Sequence, residues 1–269
     1  MNFLEKLQNI CSKNNSLVCV GLDPDPKLLP EKMGVFEFNK AIIEATSDLV
    51  CAYKPNLAFY EAMGDEGMKA LRNTVKTIPS QIVVIGDGKR GDVGNTSKAY
   101  ARALFEILGV DAATLSPYLG FDSLEPFLQY KDKGSIILCR TSNPGAVDFQ
   151  SLKFVTPSGS QPLFEIVADK AHAWNTNGNI GLVVGATFPE ELKLIRQQHP
   201  DMPILIPGIG AQGGDVGITT KFGISPQGDK AIINSSRQIL YASQGKDFAE
   251  AARKATLALR DEINKYRGS

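Results

Sequence analysis

Histidine, cysteine and tryptophan are scarce in this sequence, and the scarcity excludes some chemistry. With two histidines in 269 residues, no His, Cys and carboxylate set falls at metal-ligand spacing. The four cysteines, Cys11, Cys19, Cys51 and Cys139, share no metal-type spacing either. Three of them sit in apolar runs (VCV, VCAY, ILCR), where cysteine behaves as a small buried hydrophobe. Nothing calls for an oxidising compartment, so the cytoplasm is the expected location. An excess of one charge is missing too. Lys+Arg and Asp+Glu are 29 each, which leaves no global positive field for nucleic acid. No apolar run reaches bilayer length, and residues 1–10 mix Asn, Glu and Lys into the apolar positions, unlike a secretory leader. Neither nucleic acid nor membrane is an expected partner.

What is present is a 43% hydrophobic chain, enough for one large core. Short β-branched runs alternate with amphipathic stretches. The expected strands are 16–22, 49–54, 81–87, 112–115, 135–139, 180–184, 204–206 and 231–234. Between them lie expected helices at 35–47, 61–77, 96–108, 123–131, 161–175, 189–198, 214–221 and 248–265. The strands are continuous apolar runs, as expected when both faces are covered. This alternation predicts an α/β fold, a (β/α)₈ TIM barrel formed by residues 1–269 as one domain. An open doubly wound sheet is the alternative. The stretch 142–160 follows a strand, lacks a helical period and is rich in Ser, Pro and Gly, which suits a lid or binding loop.

Barrel active sites gather at the carboxyl ends of the strands. There the chain carries Asp23, Lys54, Asp87-Gly88-Lys89, Arg140 to Gly145, the glycine-dense 207–215 and Asn234 to Arg237. Asp87 and Lys89 are two apart and on an extended backbone point to the same side, with Gly88 facing away. Asp92 lies past the strand, and spacing does not give its direction. A plain salt-bridged strand end is the competing reading. In 208–215, glycines let backbone N–H groups approach a ligand, and the helix that follows offers its N-terminus to an anion. Arg237 adds a fork suited to phosphate oxygens; an ordinary glycine turn is the alternative. His172 packs or faces solvent. His199, before Pro200, caps a helix end.

These strings resemble the orotidine 5′-phosphate decarboxylases over nearly the whole chain. The bacterial branch reads KPNxAFYE, here Lys54 to Glu61, and the signature D-x-K-x-x-D is Asp87, Lys89 and Asp92. The loops TSNPG and PGIGAQGGD match as well. The resemblance implies decarboxylation of orotidine 5′-phosphate to uridine 5′-phosphate without metal or organic cofactor. It implies an alternating charged tetrad of Lys54, Asp87, Lys89 and Asp92, with Lys89 protonating C6 and Asp87 beside the departing carboxylate. Asp92, and Thr96 toward the ribose, would reach into the neighbouring subunit of a homodimer. Asp23 and Lys54 would hold ribose hydroxyls, Ser142 the pyrimidine, and Gln212 would bridge pyrimidine and phosphate. Arg237 and the backbone from Gly208 to Gly210 would take the phosphate, and Ser236, where some relatives have Gly, would keep a backbone N–H there.

The chemistry suits the residues. Losing carbon dioxide without an electron sink leaves a carbanion, which a nearby ammonium stabilises and then protonates. The four tetrad charges sum to zero, which limits the cost of burying them. Three alternatives remain: a magnesium-dependent sugar-phosphate decarboxylase or hexulose-phosphate synthase of the same superfamily, a silent phosphate-ligand binder, and a Schiff-base lyase. The first carries an acidic residue where this chain has Lys54. The second predicts a broken tetrad. The third wants a lysine in an apolar site, whereas Lys89 is flanked by carboxylates. The loops 208–215 and 142–160 are expected to close on ligand.

Overall fold

The computed structural model describes residues 1–156, 159–209 and 213–267. Eight of the strands are short, and most of their residues are buried on both faces: β1 (Val18–Leu22), β2 (Ala52–Pro55), β3 (Val83–Arg90), β4 (Ala112–Leu115), β5 (Gly134–Arg140), β8 (Ile180–Val184), β9 (Ile204–Ile206) and β10 (Ala231–Ser235). Each apolar run can bury both faces only inside a helical shell. The eight pair in parallel and close into a barrel in the order β1-β10-β9-β8-β5-β4-β3-β2. The expected barrel is therefore the fold, and the open sheet is not.

The shell consists of α2 (Val35–Thr46), α3 (Leu57–Glu61), α4 (Gly64–Thr77), α5 (Gly94–Arg102), α6 (Phe121–Leu128), α7 (Leu163–Trp174), α8 (Pro189–Gln198), α9 (Val216–Gly223), α10 (Arg237–Leu240) and α11 (Phe248–Arg267). Two expected helices are divided. The stretch expected as 61–77 begins earlier, as α3, capped by the Asn56 side chain on the Ala58 N–H, and breaks at Met63 before α4. The stretch expected as 96–108 runs as α5 and then widens into a π-helical turn over Ala103–Leu108. Among the described residues no helix is long and apolar enough to cross a membrane.

Besides the short α10 and a 3-10 turn at Pro26–Leu28, two larger elements were not anticipated. An N-terminal helix, α1 (Phe3–Lys13), starts on a capping box in which Asn2 and Glu5 exchange side-chain-to-backbone bonds, the reciprocal pattern that satisfies two otherwise orphaned N–H groups. It buries Phe3, Leu7, Ile10 and Cys11 and closes the floor of the barrel. Lys6 pairs there with Asp111 at 2.7 Å, and Asp111 also accepts the Val84 N–H. The second element lies inside the 142–160 loop. After a 3-10 turn at Pro144–Asp148, β6 (Lys153–Thr156) and β7 (Gly159–Pro162) form an antiparallel hairpin. Among the described residues the loop is irregular only in its first part.

The ladder between β3 and β4 carries a bulge. Gly86 pairs with Ala113, but the next pair is Arg90 with Leu115. The chain from Asp87 to Lys89 arches out of the sheet at the carboxyl rim, and a bulge of this kind re-aims side chains.

Candidate active site

Two adjoining hollows of about 430 and 490 Å³ open at the carboxyl rim, and both are lined by Lys54, Asp87 and Pro207. Asp23, Asn56, Asn234, Ser236, Arg237 and Tyr241 line the first. Lys89, Thr114, Ser142, Asn143 and Gln150 line the second. Convergent polar groups in a concave pocket at this rim are the mark of a barrel's active site.

Asp87 is the hub. Its Oδ2 accepts from Lys54 Nζ at 2.9 Å, and its Oδ1 accepts from Lys89 Nζ at 2.7 Å and from Thr114 Oγ1 at 2.8 Å. Burial pushes the Asp87 carboxyl pKa up, but Lys54 and Lys89 outweigh it and hold the group well below the usual carboxylate range. Burial likewise works against the Lys54 ammonium, and Asp87 and Asp23 overcome it, so its pKa stands above the usual lysine range. Both groups are therefore ionised at neutral pH. The two lysines differ in setting. The Lys54 side chain is 5% exposed and that of Lys89 50%, so Lys89 faces the open hollow.

Asp87 and Lys89 do share a side, as their spacing predicts, but the backbone reaches that result by another route. Lys89 has φ +47°, in the left-handed region, so the plain two-residue alternation of a strand does not describe it. Its N–H donates to Thr114 Oγ1 at 3.0 Å. Thr114 thus ties the arch backbone to the carboxylate. It was missed in the sequence, where a threonine in the run Ala112 to Leu115 was the available signal.

On the first hollow's wall, Ser236 Oγ donates to Asp23 Oδ2 at 2.7 Å. The other Asp23 oxygen, Oδ1, and the Asn234 Oδ1 are buried with no hydrogen-bond partner among the described residues. Buried acceptors of this kind are costly unless a ligand donor meets them. Tyr241 braces the wall by accepting the Asp25 N–H at 2.7 Å and donating to the Asp23 carbonyl at 3.3 Å. Asn234 and Tyr241 had no role in the sequence reading. In the second hollow Gln150 holds Thr141 through its backbone N–H and its hydroxyl, both at 2.8 Å, next to Ser142.

Gly208 has φ +98°, which suits glycine alone among common residues, and its carbonyl accepts the Gly214 N–H at 3.2 Å. Arg237 is exposed, lines the first hollow and makes no ion pair among the described residues. Gly210 and Gln212 lie outside the described residues. The N-terminus of α9 is capped by Asp215, whose side chain accepts the Ile218 N–H at 2.7 Å.

Asp92 and Thr96 line neither hollow. Among the described residues Asp92 Oδ1 accepts only the adjacent Val93 N–H, at 2.7 Å, and Thr96 is exposed. Within one chain, then, Lys54, Asp87 and Lys89 come together and Asp92 does not join them. His199 occupies the C-cap of α8 as expected, and His172 is exposed with its ring 5.2 Å away; neither reaches the hollows. Among the described residues no group of three or more His, Cys, Asp or Glu side chains is placed to hold a metal ion.

Residues 16–255 match the model of the orotidine 5′-phosphate decarboxylase / HUMPS family. The chain belongs to that family. An orotidine 5′-phosphate decarboxylase of Dehalococcoides mccartyi strain CBDB1 is 57% identical over 267 residues, covering 99% of both chains. The solved structure of Leishmania donovani OMP decarboxylase superposes with a TM-score of 0.86 at 39% identity, covering 100% of both chains. The Leishmania donovani UMP synthase structure gives a TM-score of 0.88 at 41% identity over 99% of this chain, which spans 57% of that longer protein. The strings that carried the resemblance to the decarboxylases sit at the rim of this family barrel: Lys54 and Asn56 where β2 meets α3, and Asp87 to Asp92 on and just past the β3 arch.

Proposed function

We propose that the chain decarboxylates orotidine 5′-phosphate (OMP) to uridine 5′-phosphate (UMP). The observation that carries this reading is the Lys54–Asp87–Lys89 array, with its half-exposed ammonium facing a hollow of nucleotide size. The bond from C6 to the substrate carboxylate breaks, carbon dioxide leaves, and the electron pair stays on C6. Lys89 stabilises that pair and transfers an Nζ proton to C6; solvent then reprotonates the amine. A fixed ammonium costs no reorganisation as the charge develops, which is how preorganised electrostatics lowers a barrier. Asp87 lies beside the departing carboxylate. The unpartnered Asp23 Oδ1 accepts from a ribose hydroxyl with Lys54 alongside, and Ser142 bonds the pyrimidine. Arg237, Ser236 and the backbone at Gly208 and Gly210 take the phosphate, and Gln212 bridges phosphate and base.

The reaction needs no metal in this reading. Both Asp87 oxygens are already paired with ammonium groups, whose positive charge disfavours a metal cation beside them. Lys54 stands where the magnesium-using relatives carry an acid. Asp92 and Thr96 serve the site of a partner subunit in a homodimer, a reading supported by their absence from the hollows of their own chain.

The test is to mix the protein with OMP and EDTA and follow the loss of ultraviolet absorbance. Turnover that is absent, or that requires added magnesium, overturns the reading. For the shared site, Lys89→Ala and Asp92→Ala subunits are mixed. Each heterodimer then regains one intact site of its two, whereas no recovery removes the cross-subunit role of Asp92.

A further inference from the structure

We propose that Arg90 and Glu61 form a clamp on the outer wall of the barrel that positions Lys89 for the reaction. This rests on the decarboxylase reading for what Lys89 does, but not for how the clamp is built. The arch from Asp87 to Lys89 leaves the β3–β4 ladder after Gly86 and rejoins it at Arg90. An arch of this kind keeps its shape only if both feet are held. The first foot is Asp87, bridged to Asn56 and bound by two lysines. The second foot is Arg90. Its carbonyl accepts the Ser116 N–H at 2.8 Å. Its guanidinium pairs with Glu61 and lies over the Tyr100 ring, 5.1 Å from the centroid. The same side chain folds back across Gly88, where a Cβ would lie 3.1 Å from Arg90 Nε and 2.7 Å from Leu57 Cδ1.

Lys89 needs such a device more than Lys54 does. Lys54 is buried and held by what packs around it. Among the described residues the half-exposed Lys89 side chain hydrogen-bonds to Asp87 alone, and its backbone is in the left-handed region that a non-glycine residue keeps only when its surroundings enforce it. The direction of its ammonium is therefore inherited from the arch. Arg90, Glu61, Tyr100 and Leu57 line a separate apolar recess that shares no residue with the two hollows, so none of them is placed against the substrate. The pair also joins the two diagnostic strings, since Glu61 ends KPNLAFYE and Arg90 lies within DGKRGD. Being partly exposed, it contributes little to stability. Arg90 and Glu61 are positioning residues, acting through Lys89.

The test compares Arg90→Ala and Glu61→Gln with the unsubstituted protein. With Lys89 misplaced, kcat for OMP falls by about tenfold or more in Arg90→Ala and less in Glu61→Gln. The dissociation constant of UMP stays within about twofold, because the lost interaction matters at the transition state and not in the bound complex. Exchange of the Lys89 amide hydrogen, followed by NMR, quickens by about tenfold while that of Ile85 does not change. An unchanged kcat in both variants overturns the proposal, as does a loss of UMP affinity and melting temperature in step with kcat. Should Arg90→Ala fail to fold, Glu61→Gln at a half-exposed site carries the same three readouts. If the unsubstituted protein does not turn over OMP, the decarboxylase reading fails by itself, and the amide exchange still decides the clamp.

Discussion

On the β1–β3 side of the barrel mouth the charges are matched before any ligand arrives. Lys54 and Lys89 each occupy one oxygen of Asp87, Thr114 adds a third bond, and Ser236 holds one oxygen of Asp23. On the β9–β10 side Arg237 is exposed and makes no ion pair among the described residues, and the turn at Gly208 offers backbone. The first side is a paired network whose geometry is set by the fold, left open at Asp23 Oδ1. The second is an open cationic corner, where the proposed reading puts the substrate phosphate. The contrast separates two jobs. A preorganised array lowers the barrier at the reacting carbon, while a remote anion site supplies binding energy that can be used elsewhere in the substrate.

The contrast breaks most visibly at Lys89. Lys89→Ala lowers kcat by about 10⁴-fold, the upper range for removing a general acid, with charge stabilisation lost besides. Calorimetry finds UMP affinity changed far less than kcat. Arg237→Ala gives the opposite pattern. Removing a charge-assisted fork from a phosphate costs about 2–3 kcal/mol, so KM for OMP and Kd for UMP rise by about 30- to 150-fold. Steady-state kinetics in which both variants lost kcat and affinity equally would erase the distinction between the two sides.

The paired side also leaves a signature in stability. Because folding depresses the Asp87 pKa, its contribution is fully present above the ordinary carboxylate value of about 4 and is lost as pH falls toward the depressed folded value. The raised Lys54 works at the other end: its contribution is present below about 10.4 and is lost as pH rises through the folded value. Between about pH 4 and pH 2, the unfolding free energy of the parent protein falls more steeply than that of Asp87→Asn, by up to about 1.4 kcal/mol per pH unit. Equal slopes in urea titrations would show that Asp87 is not held ionised by folding. The smallest effect belongs to Thr114→Val. Losing its two hydrogen bonds costs about 1–2 kcal/mol, so kcat falls by about tenfold with UMP affinity little changed. A change confined to KM would move Thr114 out of the array.

The barrel was legible because buried parallel strands leave continuous apolar runs, and eight of them alternate with amphipathic stretches. Its floor was not read, although Asn2 and Glu5 carry a capping box and Phe3, Leu7, Ile10 and Cys11 mark a helical face; residues 1–10 had been weighed only as a leader and Cys11 only as a metal ligand. The β6–β7 hairpin was hidden among the Ser, Pro and Gly of its loop, where Phe154, Val155 and Thr156 are too few to give a period. At the site, Asp87, Lys89 and Lys54 could be found because charges at apolar strand ends are conspicuous. The left-handed backbone of Lys89 could not, since a positive φ at a lysine is imposed by tertiary contacts and leaves no mark in composition. The capping of α9 by Asp215 was readable from its place before the helix but was not read. Asp92 lies past the strand end and lines neither hollow of its own chain, and its proposed place in a partner's site came from the resemblance and not from spacing.

The central claim is that Lys89 delivers a proton to a carbanion left at C6. It is tested most directly by turning over OMP in deuterium oxide with EDTA present and examining the product by NMR. The account predicts UMP carrying one deuterium at C6, formed in step with carbon dioxide, at a rate that collapses in Lys89→Ala. Product without deuterium at C6, or an undiminished rate in Lys89→Ala, would contradict it.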